Sequence, residues 1–145
     1  MPCPFFEPRA ITPSPRHAHA RLPLIDEYDG LCRARADLPP APAERRFECC
    51  NHGYSHSLCD LFPAGHAPSC FRYTVLAQSE AGLEILCIEE RHYAPVRWFS
   101  TRYSPSTGAL DPDPAGVSMD AQPLAMRAQA LAFCRSFLER FPLAS

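Results

Sequence analysis

Proline is the residue that most limits how this chain can fold, because each proline fixes its own φ angle and removes one backbone hydrogen-bond donor. More than half of the 17 prolines lie within residues 1–45 of the 145-residue chain. Regular structure is therefore expected to be interrupted every few residues in this part. We predict that residues 1–20 form a mobile proline-rich arm and that residues 21–145 form a single domain, with an irregular first part over 21–45.

Three segments that follow residue 70 predict β-strands. Residues 70–77 alternate apolar and polar side chains with the period of two that is typical of a half-buried strand. Residues 83–90 carry apolar side chains on both faces, and residues 96–103 are rich in aromatic and β-branched types. Because the connections between these segments are short, we expect neighbouring strands to pair in an antiparallel meander.

The last part of the chain predicts one long helix, over about residues 121–141. Pro123 suits the first turn of a helix, and Pro142 marks its end. The apolar residues expected to form the buried stripe recur at spacings of three and four, and they are Leu124, Ala128, Leu131, Cys134, Leu138 and Phe141. The predicted fold class is therefore α+β: a small antiparallel meander sheet packed by a C-terminal helix.

Residues 47–70 contain four of the eight cysteines and three of the six histidines, which makes this segment the candidate for chemistry. The candidate metal ligands are Cys49, Cys50, His52, His56, Cys59, His66 and Cys70. Structural zinc sites use four such thiolate or imidazole ligands. The preferred set combines Cys50, Cys59 and Cys70 with one of the three histidines, because the adjacent Cys49 would face the opposite side of an extended chain. The leading hypothesis is a small zinc-binding accessory or interaction protein with no assigned reaction.

Two alternative hypotheses use the same cysteines. The thiolates of Cys49, Cys50, Cys59 and Cys70 are the ligand type that holds iron–sulfur clusters. In the other alternative, the adjacent pair and Cys59 exchange disulfides, which requires a thiol with a lowered pKa, and Glu90 and His92 are the nearby titratable groups. Either alternative makes the chain a redox protein or an enzyme.

A further alternative is a metal-free interaction protein, which binds a protein partner through the arm of residues 1–20 or through a sheet face. Nucleic acid is not an expected partner, because the formal net charge is −2 and the arginines of the sheet are balanced by glutamates. No apolar run approaches the roughly 20 residues of a membrane span, and the first residues lack the pattern of a secretory signal. These observations favour the cytoplasm, where thiols stay reduced. They do not predict the oligomeric state.

Overall fold

The computed structural model describes residues 2–13, 15, 22–34, 43–52, 59, 62, 70–92, 94–117 and 123–143. The strands within these ranges are β1 (Phe6–Ile11), β2 (Tyr28–Cys32), β3 (Cys70–Ser79), β4 (Gly82–Arg91), β5 (Ala94–Ser104) and β6 (Ala109–Asp111). The helices are α1 (Ala43–Arg45), which continues as a π-helical turn (Arg46–His52), α2 (Pro114–Val117) and α3 (Pro123–Arg140). None of these helices is long and apolar enough to cross a membrane.

The larger sheet is the predicted antiparallel meander, with the strand order β3-β4-β5-β6. Cys87 in the central strand β4 lies opposite Tyr73 in β3 and opposite Phe99 in β5. The three predicted strands are confirmed, and each extends one or two residues beyond its predicted range. The turn into β4 uses Gly82 at a φ of 136°, where an added Cβ would lie 1.9 Å from the carbonyl oxygen of Tyr103. Only glycine fits this position.

The predicted C-terminal helix is also confirmed, but its buried face differs from the predicted stripe. Leu124 and Phe141, at the two ends of that stripe, are 54% and 55% exposed. The helix instead buries the polar side chains of Gln129 and Ser136 in the core. The prediction was wrong here because hydropathy assigns these two residues to the solvent face, whereas both find hydrogen-bond partners inside the protein.

The segment in which the prolines suggested an arm and an irregular wrap contains a two-stranded antiparallel sheet. Phe6 of β1 pairs with Cys32 of β2, and the register shifts between Pro8 and Ala10. Pro8 is tolerated because it lies beside this bulge in a sheet of two strands. Residues 2–8 are buried, so a mobile arm does not describe this part of the chain. Residues 16–20 of the predicted arm lie outside the described residues.

Helix α3 joins the two sheets through hydrogen bonds in the core. Gln129 Nε2 donates to the carbonyl oxygens of Cys3 and Phe6, both at 2.7 Å, and Gln129 Oε1 accepts a hydrogen bond from the Tyr73 hydroxyl at 3.0 Å. The Tyr28 hydroxyl of β2 bonds to the Ser136 hydroxyl. Apolar residues of both sheets and of α3 accordingly form one continuous core cluster.

Candidate functional site

The π-helical turn carries the adjacent residues Cys49 and Cys50, and both side chains are buried. Helical turns with this wider hydrogen-bonding pattern are rare and are often found at functional sites. Because successive residues of a helical turn project in different directions, the two thiols acquire different neighbours. Because their neighbours differ, Cys49 and Cys50 can have different roles.

Asn51 attaches this turn to strand β2. Its Oδ1 accepts a hydrogen bond from the Tyr28 backbone N–H at 2.9 Å, and its Nδ2 donates to the Tyr28 and Arg46 carbonyl oxygens at 3.0 and 2.9 Å. The side chain is fully buried, so these bonds are protected from competition with water. Strand β2 ends at Cys32, and Asn51 thus fixes the turn relative to the strand that carries this cysteine.

A backbone hydrogen bond holds Cys3 next to Cys50. The Cys3 N–H donates to the Cys50 carbonyl oxygen at 3.1 Å, and the Cys3 carbonyl oxygen accepts from Gln129 Nε2 and from the Phe6 N–H. All these contacts involve the short segment that leads into β1. The chain's first cysteine is therefore held beside the π-helical turn, 47 positions away in sequence.

Cys32 and Cys59 are held close to the same segment, and both are half-buried. Cys32 pairs with Phe6 across the small sheet, as described above. The Cys59 carbonyl oxygen accepts a hydrogen bond from the Phe62 N–H at 3.1 Å. The ring of Phe62 meets that of Phe5 edge to face, with 5.3 Å between the ring centroids. Aromatic packing thus places Cys59 near the residues that follow Cys3.

Four other cysteines affect the electrostatics of the Cys50 thiol. Burial is the largest cause that raises the pKa of the Cys50 thiol above its ordinary value, and the neighbouring thiols that raise it further are Cys3, Cys32, Cys59 and Cys49. We call these five residues, Cys3, Cys32, Cys49, Cys50 and Cys59, the thiol cluster. Neighbouring thiolates repel one another, whereas a cation bound among them would favour their ionisation.

Among the neighbouring side chains, Cys59 has the largest effect on the pKa of the Cys49 thiol. Burial is again the largest cause that raises the pKa of the Cys49 thiol, followed by the electrostatic effect of Cys59, while the nearby Arg45 acts in the opposite direction. Cys59 therefore interacts with both members of the adjacent pair.

The predicted ligands are divided between this cluster and other places. Cys49, Cys50 and Cys59 are brought together, whereas Cys70 begins β3 opposite Glu90 and exerts an electrostatic effect on Tyr73. His52 is exposed, and its ring stacks on that of Phe47 with 5.7 Å between the centroids. His56 and His66 lie outside the described residues.

Across the described ranges, no three His, Cys, Asp or Glu side chains form a group that could hold a metal ion. The thiols of the cluster are close enough to influence one another, but they are not drawn together around a single point. Glu90 is buried and pairs with Arg72 at 3.4 Å, while His92 is exposed in the turn after β4 with a φ of 52°.

Cys3 and Cys32 are the members of the cluster that the sequence did not identify. Each stands alone in the chain, and residues 47–70 drew attention because their cysteines and histidines are close in sequence. The available signal was the presence of two isolated cysteines in the proline-rich part of the chain. Only the pairing of β1 with β2 brings them to the π-helical turn.

A second pair of thiols lies in the main core, away from any predicted site. Cys87 of β4 and Cys134 of α3 are fully buried, and burial raises the pKa of each to about 12. Such thiols stay protonated near neutral pH and pack as small apolar side chains.

The thiol cluster is the candidate site, and it has to be interpreted from its own chemistry. No protein-family model, no curated protein and no solved structure matches this chain.

Proposed function

We propose that this chain is a small metal-binding protein in which the thiolates of Cys3, Cys32, Cys50 and Cys59 hold a zinc ion in a structural role. The observation that carries the proposal is the Cys3 N–H donating to the Cys50 carbonyl oxygen at 3.1 Å, together with the electrostatic effect of the Cys3, Cys32 and Cys59 thiols on Cys50. Four thiolates are a ligand set that structural zinc sites commonly use, with zinc–sulfur distances of about 2.3 Å. Binding therefore requires these four sulfur atoms to close in around the ion.

The fold supports a structural role for such an ion. A two-stranded sheet is at best marginally stable by itself. An ion held by Cys3, Cys32 and Cys50 would tie both strands of the small sheet to the π-helical turn. Zinc contributes an apparent ~10–16 kcal/mol of folding free energy in small zinc-binding peptides, which exceeds what a few surface contacts supply.

The same four cysteines suit a second candidate, an iron–sulfur cluster. All the side chains named above as raising the pKa of Cys50 are thiols, and thiolate-only ligation is usual for such clusters. The experiment below separates the two candidates by metal content and by colour.

In this proposal the chain works in the cytoplasm, where thiols stay reduced and able to bind metal. It acts as an accessory protein that binds a protein partner and does not catalyse a reaction. The metal then has the task of keeping the small sheet and the turn in one arrangement.

The test is elemental analysis and visible absorption of the full chain after purification without oxygen. We expect one zinc per chain and no visible colour. Iron with acid-labile sulfide and a brown colour would replace zinc by a cluster on the same thiolates. A protein without stoichiometric metal, whose thiols all react with a thiol reagent in the folded state, refutes both candidates.

Single substitutions then test which residues are ligands. Cys3→Ser and Cys32→Ser should each remove most of the bound metal, whereas the matched controls His52→Ala and Cys70→Ala should retain it. Far-UV circular dichroism identifies any variant that fails to fold. Loss of metal in the two controls, with metal retained in Cys3→Ser, would instead support the ligand set that the sequence predicted.

A further inference from the structure

Helix α3 packs against one face of the larger sheet. Tyr73, Cys87 and Phe99 pair across β3, β4 and β5, and all three belong to or pack against the core cluster that contains α3. Because side chains alternate along a strand, the residues between them point away from the helix. We call this side of the sheet the outer face, and three cross-strand pairs define it: Ile88–Trp98, Leu86–Ser100 and Glu84–Arg102.

The outer face carries an exposed tryptophan. Trp98 is 61% exposed, which is the highest value among the large apolar side chains that the structure describes. It lies opposite Ile88, and the half-buried Leu86 continues the apolar surface along the neighbouring strand. Tryptophan is enriched at protein–protein interfaces, where it commonly fills a pocket of the partner. Trp98 is therefore a candidate anchor for a second protein.

A hollow of about 240 Å³ lies farther along the same face. Three of the residues that line it are small, Ala77, Ser79 and Gly82, and the side chains of Glu84 and Arg102 border it. Small residues at the ends of β3 and β4 leave this part of the sheet uncovered. A cavity of about 150 Å³ accommodates a benzene ring. The hollow thus has room for the indole of a tryptophan.

We propose that the outer face joins two copies of this chain, and that Trp98 of each copy fills the hollow of the other. Trp98 and Arg102 are four residues apart on β5, which corresponds to about 13 Å along the strand. A two-fold axis midway between them, near Ser100, brings each tryptophan to the hollow of the partner. The same contact then occurs twice, as in any isologous dimer. This dimer does not depend on a bound metal.

The charges of the outer face suit a second copy. Arg72 lies 3.4 Å from Glu90, and Arg102 lies 3.9 Å from Glu84. The described part of the face therefore has opposite charges side by side, so an identical face is not repelled. The Arg102 side chain is 81% exposed at the border of the hollow. Its guanidinium can lie over the indole of the partner in a cation–π contact.

The size of the face predicts a weak dimer. Strands β3 and β4 have 10 residues each, and β5 has 11. With the usual rise per residue and strand spacing, they form a plane of roughly 33 by 14 Å. This plane is smaller than the ~800 Å² that each partner buries in a standard interface. We therefore expect the dimer to dissociate in the micromolar range.

The experiment measures the mass of the full chain by sedimentation velocity from ~1 to ~100 μM, the range in which a small interface dissociates. We expect the mass to rise from one chain to two. Trp98 is the only tryptophan of the chain, so its fluorescence reports on this contact alone. Its emission should shift to shorter wavelength as the concentration rises, because the indole leaves water.

Two variants remove the two halves of the contact. Trp98→Ala should raise the dissociation constant of the dimer at least about 30-fold, the loss typical of a buried aromatic anchor. Ala77→Arg should have a similar effect, because the long side chain occupies the hollow. Leu124→Ala is the matched control, since Leu124 is 54% exposed on helix α3, and it should dimerise like the unmodified chain. Far-UV circular dichroism verifies that each variant is folded.

A mixture of the two variants tests the reciprocal contact. Ala77→Arg keeps its tryptophan and Trp98→Ala keeps its hollow, so one of the two contacts can form between them. Adding Trp98→Ala, which contains no tryptophan, should shift the emission of Ala77→Arg to shorter wavelength. The double variant, which has neither half, should cause no shift. A chain that stays monomeric at ~100 μM, or a dimer that both single variants leave intact, overturns the inference.

Discussion

Replacing Gln129 with leucine removes the side-chain amide that links the last helix to the first strand and to the larger sheet, while the side-chain volume changes little. Three hydrogen bonds disappear, to the Cys3 and Phe6 carbonyl oxygens and from the Tyr73 hydroxyl. Each net contribution is about 0.5–1.5 kcal/mol, and a buried group left without a partner costs about 1–3 kcal/mol.

Two of the three former partners keep another hydrogen bond. The Cys3 carbonyl oxygen still accepts from the Phe6 N–H at 3.0 Å, and the Tyr73 hydroxyl still reaches the Met126 carbonyl oxygen at 3.4 Å. The Phe6 carbonyl oxygen loses its contact with the helix. We therefore expect Gln129→Leu to lower the free energy of unfolding by about 3 kcal/mol, a large part of the ~5–15 kcal/mol typical of a domain.

Urea unfolding at pH 7, followed by far-UV circular dichroism, measures this loss. With a slope of roughly 2 kcal/mol per M, the midpoint should fall by about 1.5 M. Gln78→Leu is the matched control, because Gln78 makes its hydrogen bond to the Phe141 carbonyl oxygen at the surface. Its effect should stay within about 0.5 kcal/mol. Equal midpoints for the two variants would refute the assigned role of Gln129.

Two further predictions concern the turn into β4 and the buried thiols of Cys87 and Cys134. Gly82→Ala should lower the free energy of unfolding, measured in urea, by about 3 kcal/mol or more, since the added Cβ meets the Tyr103 carbonyl oxygen. The control Gly108→Ala, at a φ of 69° with open space around it, should lower it by about 1 kcal/mol. Equal losses in the two variants would contradict the argument. Because burial raises the pKa of Cys87 and Cys134 to about 12, the unfolded chain loses these protons first, from about pH 8.5. Their contribution to stability is therefore complete below that pH and falls as the pH rises towards 12, by at most about 1.4 kcal/mol per pH unit for each group. Urea midpoints measured from pH 7 to pH 10 test this, and constant stability over that range would contradict it.

The larger sheet and the long helix could be predicted because their signals are local. Alternation of apolar and polar residues repeats every two positions along β3, and Pro123 and Pro142 bracket the helix. Such patterns need no knowledge of what the element packs against. The buried face of the helix could not be predicted in this way. Gln129 and Ser136 are buried because residues distant in sequence supply their hydrogen-bond partners.

The small sheet could not be predicted for a related reason. The strand Tyr28–Cys32 contains an Asp-Gly pair, which is typical of turns. Gly30 is required there because an added Cβ would lie 2.1 Å from the Glu7 carbonyl oxygen of the neighbouring strand. The local sequence does not show that a glycine is required by the close approach of another strand.

The candidate site was half predictable. Cys49, Cys50 and Cys59 were found because they are close in sequence, and the chain's folding keeps them close in space. Cys3 and Cys32 join them only through pairing of β1 with β2 and docking of the π-helical turn by Asn51. Proximity along the chain also drew Cys70 into the preferred ligand set, although strand β3 begins there and carries it opposite Glu90.

The hydrogen bonds from Gln129 to Cys3 and Phe6 also bear on how the chain folds during synthesis. They join residues 126 and 123 positions apart. A ribosome adds about 5–20 residues per second, so β1 waits for several seconds before the helix that covers it exists. During that interval β1 lacks the helix that packs against it, and contacts of such long range form slowly. We therefore expect residues of β1 to stay accessible to solvent and to other proteins until helix α3 has been synthesised.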